Sequence, residues 1–219
     1  MRSVLERLRD QAETEDRPAI ERMRAHEREL GHRVYGRERA AVYGSAAPLA
    51  IKPEVGELLY VLALARRART IVEFGASLGF STIYLAAAVR DLGAGRVIST
   101  EIEPEKARLA RENLAAAGVG DVVELRVGDA LETLRGLAEV DMLFLDGWNN
   151  LYLEVLDLVE PALLPGALVV ADLSEDDPEQ VPYCERMRDP DRGYATVEVP
   201  LDAGVVVSVR TSPGATRSR

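Results

Sequence analysis

Short apolar runs alternate with amphipathic, helix-like stretches through the middle of the chain. The clearest unit is residues 70–81, TIVEFGASLGFS, where an apolar run leads through two glycines into a helical pattern. This order predicts parallel β-α units, whose turns lie at the carboxyl edge of a sheet and bind nucleotide-like ligands. The predicted strands are 70–74, 96–102, 122–127, 140–145 and 167–171. The predicted helices are 53–67, 79–91, 104–117, 130–137 and 150–160.

The two ends of the chain have different patterns. Residues 3–30 carry apolar positions at helical spacing, and Pro18 suits the first turn of a second helix, so two amphipathic helices are predicted. Residues 31–48 are mixed in character and predict either a connecting loop or the rim of a substrate pocket. Two β-rich runs around 202–204 predict an antiparallel hairpin, and residues 211–219 predict a flexible tail.

Composition limits the classes of partner. The formal net charge of −10 argues against nucleic acid and against an anionic membrane surface, because both require a basic face. No apolar run approaches the roughly 20 residues of a membrane span, and we expect no signal peptide at the start. Cys184 is the single cysteine, which excludes an intrachain disulfide and suits a reducing cytoplasm.

Acids near the predicted strand ends are candidate ligand-binding groups. Glu73, Gly75 and Gly79 form E-x-G-x-x-x-G, a variant of the dinucleotide fingerprint. Glu101 ends the next strand, where a carboxylate can accept hydrogen bonds from both hydroxyls of a ribose. Asp129 follows the third strand, and two roles remain open for it: accepting from an adenine amine, or capping the next helix.

Two further acids, Asp146 and Asp172, follow the fourth and fifth predicted strands. Parallel strands end at the same edge, so these carboxylates are expected to converge, which is costly unless they share a proton or a cation. A divalent ion such as Mg²⁺ would satisfy them, since it prefers oxygen ligands. The alternative is that both acids are helix caps that never meet.

Six segments are most informative when taken together and in order: LAIKPEVGELL, IVEFGASLGFSTIYLA, VISTEIEPEKARLARENLAAAGV, LRVGDALETL, MLFLDGWNNLYL and LLPGALVVAD. Together they resemble class I S-adenosylmethionine-dependent O-methyltransferases of the catechol and caffeoyl-CoA group. The resemblance implies a Rossmann-like α/β fold, with a seven-stranded, mostly parallel sheet and helices on both faces. It covers residues 49–210 as one domain and leaves residues 1–48 as a helical extension, either a lid or a dimer contact.

Position by position, the resemblance implies a binding site for S-adenosylmethionine. The residues around its methionine part would be Ile51, Glu73, Gly75, Ala76 and Ser81. The residues around its ribose and adenine would be Glu101, Ile102, Asp129 and Ala130, with Glu101 at the ribose. Asp146 would lie beside the methyl donor, and Trp148 would form one side of the substrate pocket.

The catalytic half departs from the family pattern at two positions. Asp146 and Asp172 match two of the family's metal ligands, but Leu173 stands where an asparagine ligand is expected. Asn149 occupies the catalytic position that holds a basic lysine in the family. Either the acidic residues 175–177 replace the missing ligand, or that loop is simply solvated.

The resemblance implies methyl transfer to a hydroxyl of a small aromatic or secondary metabolite, in a cytoplasmic enzyme. The apolar faces of the N-terminal helices favour a homodimer.

One alternative is a metal-independent O- or N-methyltransferase in which His32 or a nearby tyrosine removes the proton. Another is a protein that binds S-adenosylmethionine without transferring its methyl group. A dehydrogenase is disfavoured, because Ser77 stands where the dinucleotide fingerprint has its second glycine.

Overall fold

The computed structural model describes residues 1–43, 47–174 and 177–211. Its strands are β1 (Thr70–Phe74), β2 (Arg96–Glu101), β3 (Val123–Val127), β4 (Val140–Leu145), β5 (Leu163–Asp172), β6 (Tyr194–Val199) and β7 (Val205–Arg210). Its α-helices are α1 (Arg2–Leu30), α2 (Gly36–Tyr43), α3 (Pro53–Arg66), α4 (Phe80–Asp91), α5 (Pro104–Ala117), α6 (Ala130–Thr133), α7 (Tyr152–Val159) and α8 (Val181–Arg188).

The seven strands form one sheet in the order β3-β2-β1-β4-β5-β7-β6. Strands β1 to β5 pair in parallel, while β7 pairs antiparallel with both β5 and β6. The predicted α/β sheet and its C-terminal hairpin are therefore confirmed. The strand order reverses between β1 and β4, and ligands of open α/β sheets bind at the carboxyl edge beside such a reversal.

Two element bounds differ from the prediction by more than two residues. Strand β5 begins at Leu163 rather than at 167, because Leu163 pairs with Val140 across an irregularity in the register. Helix α6 ends at Thr133 rather than at 137, and Gly136 follows with a φ of 72° that is incompatible with a continuing helix. Neither change moves an acid away from its strand end.

The N-terminal extension begins with one helix, so the prediction of two helices was wrong. Helix α1 runs unbroken through Pro18. A proline inside a helix removes one main-chain hydrogen bond and crowds the preceding turn. Packing on both sides offsets that cost, since Val4 and Leu8 are buried before the proline and Ala19 and Met23 are buried after it.

Residues 31–48 were predicted to be either a connecting loop or a pocket rim. They contain a helix, α2, so they are not simply a loop. Residues 44–46 of this stretch lie outside the described residues, and so does the predicted tail from residue 212 on. Within the described ranges, no helix combines the length and the apolar character that crossing a membrane requires.

Apolar side chains cover both faces of the sheet. On one face α3 contributes Leu59, and the first part of α1 joins the same cluster through Leu8. On the other face α7 contributes Val155. A third cluster contains Met23 of α1 and has Trp148 packed against it, so α1 reaches from the core to the carboxyl edge of the sheet.

The burial of one end of α1 in the core predicts how substitutions along this helix change the free energy of unfolding. Leu8 is completely buried, whereas Leu30 at the other end of the helix is 42% exposed. Leu8→Ala should lower the free energy of unfolding by about 2–5 kcal/mol, because it leaves a cavity in the core. Leu30→Ala, the matched control, should change it by about 0.5 kcal/mol or less. Urea unfolding measures both, and equal small effects would show that α1 is not part of the core.

Candidate functional site

The ends of β1 and β4 approach each other closely at the carboxyl edge, and glycines permit it. Gly75 has a φ of 100°, and a Cβ there would lie 2.5 Å from the main-chain oxygen of Asp146. A Cβ on Gly147 would overlap the ring of Phe74. Asp146 donates its N–H to the carbonyl of Phe74 at 2.9 Å. The packing of these two strand ends is therefore a sufficient reason for a glycine at residue 75, without a contact to any ligand.

The main-chain donors of the glycine-rich turn are engaged within the chain. Gly75 and Ala76 both donate to the carbonyl of Thr100, at 3.2 and 3.0 Å. Gly79 donates to the carbonyl of Ala76 at 2.7 Å. These bonds fix the turn against the end of β2. The close approach of the main chain accounts for Gly75, and a left-handed φ of 87° accounts for Gly79.

Glu101, at the end of β2, turns its carboxylate toward this turn. Oε2 accepts a hydrogen bond from the N–H of Ser77 at 2.8 Å, and Oε1 accepts one from the N–H of Glu103 at 2.9 Å. The side chain is 8% exposed, and burial raises the pKa of the carboxyl. The carboxylate predicted to bind a ribose is thus held by two main-chain donors at the carboxyl edge of the sheet. The region at the ends of β1 to β4 along this edge is called the crevice.

A segment preceding α3 lies over the glycine-rich turn and is tied to α1. Asp16 of α1 accepts hydrogen bonds from the N–H groups of Leu49 and Ala50, at 2.7 and 3.1 Å. Ser77 in the turn donates its hydroxyl to the carbonyl of Pro48. Helix α1 therefore positions one side of the crevice through the backbone that it holds.

Lys106 of α5 is buried beneath this contact. Its ammonium donates to Ser77 Oγ at 3.1 Å. Burial lowers the pKa of Lys106, while the negative charges of Glu101 and Asp16 act in the opposite direction. The lysine thus supplies a positive charge near the buried carboxylate of Glu101 and the half-buried carboxylate of Asp16, which come from different parts of the chain.

The side chains expected around the methionine part of the cofactor are buried: Ile51, Glu73, Ala76 and Ser81. The Glu73 carboxylate accepts from the hydroxyls of Ser81 at 2.5 Å, Thr82 at 2.6 Å and Ser99 at 2.5 Å. Burial raises the pKa of Glu73 despite these three donors. Both of its oxygens are therefore occupied inside the chain, and its contact with a cofactor stays a prediction.

At the other end of the crevice, Asp129 is the N-cap of α6. Its Oδ1 accepts from the N–H of Leu131 at 2.9 Å, so the capping role is confirmed. Ala130 is buried and Ile102 is half-buried. Gly128 donates to the main-chain oxygen of Glu101 at 2.9 Å, which brings this turn beside the acid. The contacts of these residues with an adenine stay predictions.

Asp146 and Asp172 influence each other, so the alternative of two caps that never meet is not supported. Burial raises the pKa of Asp146 well above its usual range, and the charge of Asp172 adds to this effect. Burial and the charge of Asp202 raise the pKa of Asp172 to about 7. Asp172 Oδ1 is buried and has no hydrogen-bond partner among the residues described. Carboxyl groups therefore crowd this edge of the sheet, and burial disfavours their charged forms.

The third metal ligand expected at this edge is not supplied by the described part of the chain. Leu173 is buried, and its N–H donates to the carbonyl of Gly204 at 2.9 Å. Asp177 instead forms an ion pair with Arg33 at 2.7 Å. No group of three His, Cys, Asp or Glu side chains that could hold a metal occurs among residues 1–43, 47–174 and 177–211. The other proposed replacements, Glu175 and Asp176, lie outside those ranges.

Asn149 binds the loop that follows β5. Its amide nitrogen donates to Gln180 Oε1 at 2.8 Å, and its amide oxygen accepts from the Ser174 hydroxyl at 3.1 Å. Gln180 also bonds the main chain of Ser174 on both its N–H and its carbonyl. Asn149 is 5% exposed, and both ends of its amide are engaged. This arrangement suits a residue that positions the loop.

Trp148 lies in an aromatic cluster with α2. Its ring stacks on that of Tyr43, with centroids 6.0 Å apart and an interplanar angle of 13°. The Arg39 guanidinium lies 5.1 Å from the Trp148 centroid and 5.7 Å from that of Tyr43. Part of the stretch 31–48 therefore lies beside Trp148, and its role as the rim of a substrate pocket stays a prediction.

Sequence reasoning did not find Asp16, Lys106 or Arg39. All three lie on helices among other charged residues, a pattern typical of solvated helix faces. Their partners are distant in sequence, and periodicity carries no signal for such contacts. The acids at strand ends were found because topology alone brings them to one edge.

A family model described as a methyltransferase domain matches residues 72–172. The matched span begins inside β1 and ends with β5. It therefore contains the glycine-rich turn, Glu101 and both Asp146 and Asp172.

The chain is also similar to individual proteins. It is 39% identical over 127 residues to a catechol O-methyltransferase of Mycobacterium tuberculosis, covering 57% of this chain and 56% of that protein. It is 34% identical over 129 residues to one of Niastella koreensis, covering 57% and 58%. The chain thus spans a little over half the length of these relatives.

Solved structures are similar over most of both chains, and one example illustrates this. It is the O-methyltransferase TomG from Streptomyces achromogenes, involved in tomaymycin synthesis and determined in complex with SAM. The identity is 31% and the TM-score is 0.64, and the match covers 75% of this chain and 82% of that chain.

The burial of Glu73 makes a prediction about pH. Because its folded pKa is raised, its contribution to stability is present below the ordinary glutamate pKa and is lost as the pH rises through the folded value. The free energy of unfolding of the wild type should therefore fall relative to that of Glu73→Gln as the pH rises from about 4. Urea titrations at several pH values measure the difference. Exposed Glu29→Gln is the control, and a gap that does not vary with pH would contradict this account.

Proposed function

The chain belongs to the O-methyltransferase family, and from this premise we propose that it transfers a methyl group from S-adenosylmethionine to a hydroxyl of a small aromatic molecule. The observation that carries the proposal is the Glu101 carboxylate, held by the N–H of Ser77 at the carboxyl edge of the sheet. A ribose needs such an acid beside the glycine-rich turn. The alignment with the two catechol O-methyltransferases covers a little over half of their length, so the activity rests on the site itself.

The residues of the crevice fit an S-adenosylmethionine molecule laid across the ends of β1, β2 and β3. Glu101 would accept from the two ribose hydroxyls, and it already has main-chain donors that hold it in place. The adenine would lie beside Ile102 and Ala130, near the cap of α6. The methionine part would lie near Ile51 and Ala76, with Asp146 facing the sulfonium.

When bound, S-adenosylmethionine supplies a methyl group already activated as a sulfonium, so the protein chiefly has to align the acceptor. The cofactor would supply the methyl carbon to the acceptor oxygen, and its sulfur would be the leaving group. Trp148 would orient the acceptor ring. The acceptor proton would pass to the carboxylate pair Asp146 and Asp172, which lies at the adjacent ends of β4 and β5.

We propose that this reaction does not require a divalent cation. The support is the donor set: Leu173 replaces one ligand, and Asp177 is already paired with Arg33. Asn149 is engaged with Gln180 and Ser174, so we assign it a positioning role for the loop after β5. The alternative remains that Glu175 or Asp176 completes a metal site.

Residues 1–48 are proposed to cover the crevice rather than to form a dimer contact. The apolar residues of α1 pack within the chain, so they no longer favour a homodimer. Asp16 and Trp148 connect the extension to both the cofactor side and the acceptor side of the site. A cytoplasmic location also remains a proposal, supported by the single cysteine.

Methyl transfer is tested with S-adenosylmethionine carrying a labelled methyl group and 1,2-dihydroxybenzene as the probe acceptor, with and without excess EDTA. We expect labelled O-methylated product in both reactions, at rates within about twofold of each other. Turnover abolished by EDTA and restored by Mg²⁺ would contradict the metal-independent reaction. Binding of S-adenosylmethionine by calorimetry with no transfer to any hydroxylated acceptor would favour a non-catalytic binder, and no binding would overturn the proposal.

A further inference from the structure

Arg39 lies at the acceptor side of the site. Its guanidinium is close to the faces of two aromatic rings, 5.1 Å from the centroid of Trp148 and 5.7 Å from that of Tyr43. The two rings are nearly parallel, with an interplanar angle of 13°. A guanidinium that contacts aromatic faces is held in place while its N–H groups stay available at its edges.

No anion within the described part of the chain balances this guanidinium. Arg39 Nε is buried and has no hydrogen-bond partner among the residues described, and no described carboxylate forms an ion pair with it. Nearby Arg33 is different, since it forms an ion pair with Asp177. Because Nε itself is buried, a ligand anion would bind the two terminal nitrogens of the guanidinium, with which no described carboxylate forms an ion pair.

Carboxyl groups lie at the ends of β4 and β5, near Trp148. The positive charge of Arg39 is therefore suited to binding an anionic group of a ligand. The side chains of Asp146 and Asp172, at the adjacent ends of β4 and β5, are carboxyl groups, which offer an anionic ligand no positive charge. An acceptor with its hydroxyl toward Asp146 could carry a negative group only where a cation faces it. Trp148 follows Asp146 by two residues, and Arg39 lies over its ring.

We propose that the acceptor is a hydroxylated aromatic acid, whose ring lies against the cluster of Tyr43 and Trp148 and whose carboxylate binds the Arg39 guanidinium. The inference rests on the proposed function, because it names the acceptor class of the same site. Arginine binds a carboxylate through two parallel N–H donors, which fixes the orientation of the ligand as well as its charge. The same contact would direct the hydroxyl at the other end of the ring toward Asp146.

Trp148 is the only tryptophan of the chain, so intrinsic fluorescence reports on this cluster directly. The probes are 3,4-dihydroxybenzoate and its uncharged methyl ester, titrated into the wild type, Arg39→Gln and the control Arg28→Gln. Arg28 is an exposed arginine of α1. We expect the wild type and the control to bind the acid about tenfold more tightly than the ester. Arg39→Gln should lose this preference and keep its affinity for the ester.

Equal affinity of the wild type for acid and ester would overturn the inference, and so would an equal loss in the two glutamine variants. Circular dichroism checks that each variant is folded. If Arg39→Gln unfolds, Arg39→Lys is used, which keeps the charge without the planar pair of donors and should lose part of the preference. The titration needs no methyl transfer, so a failure of the proposed function, seen as no labelled product from either probe, is distinguishable from a failure at Arg39.

Discussion

The site depends on the hydrogen bonds that hold the turn after β1 against the end of β2. Gly75 and Ala76 donate to the carbonyl of Thr100, and Ser77 donates to the carboxylate of Glu101. A buried carboxylate is tolerated only where donors are already in place, because burial disfavours its charged form. The bond that stabilises the acid also fixes the turn. The shape of the crevice and the position of its acid are therefore set together.

Helix α1 extends this constraint to the rest of the site. Leu8 anchors the helix in the main core, and Asp16 holds the segment that lies over the glycine-rich turn. Met23 belongs to the cluster against which Trp148 packs. One continuous helix therefore supports both the cofactor side and the acceptor side of the crevice. On the cofactor side, the buried Lys106 lies near the carboxylates of Asp16 and Glu101, whose negative charges raise its pKa against the effect of burial.

The parts of the fold that could be predicted are those with local signals. Strands buried on both faces appear as apolar runs, and their order brings Glu101 and Asp146 to one edge without any further information. The continuous helix through Pro18 could not be predicted, because distant packing outweighs a local preference. The engagement of Asn149 with Gln180 is likewise a contact between distant residues. The resemblance to the family indicated only that Asn149 replaces a lysine at this position, and not what Asn149 contacts.

Calorimetric titration of S-adenosylmethionine into Glu101→Gln tests most directly whether the Glu101 carboxylate binds a ribose. Glutamine cannot accept from both hydroxyls as a carboxylate does, so the variant should bind at least about tenfold more weakly than the wild type. Glu105→Gln, which removes an exposed acid from the first turn of α5, is the control and should bind as the wild type does. Unchanged affinity in a folded Glu101→Gln variant would contradict the account.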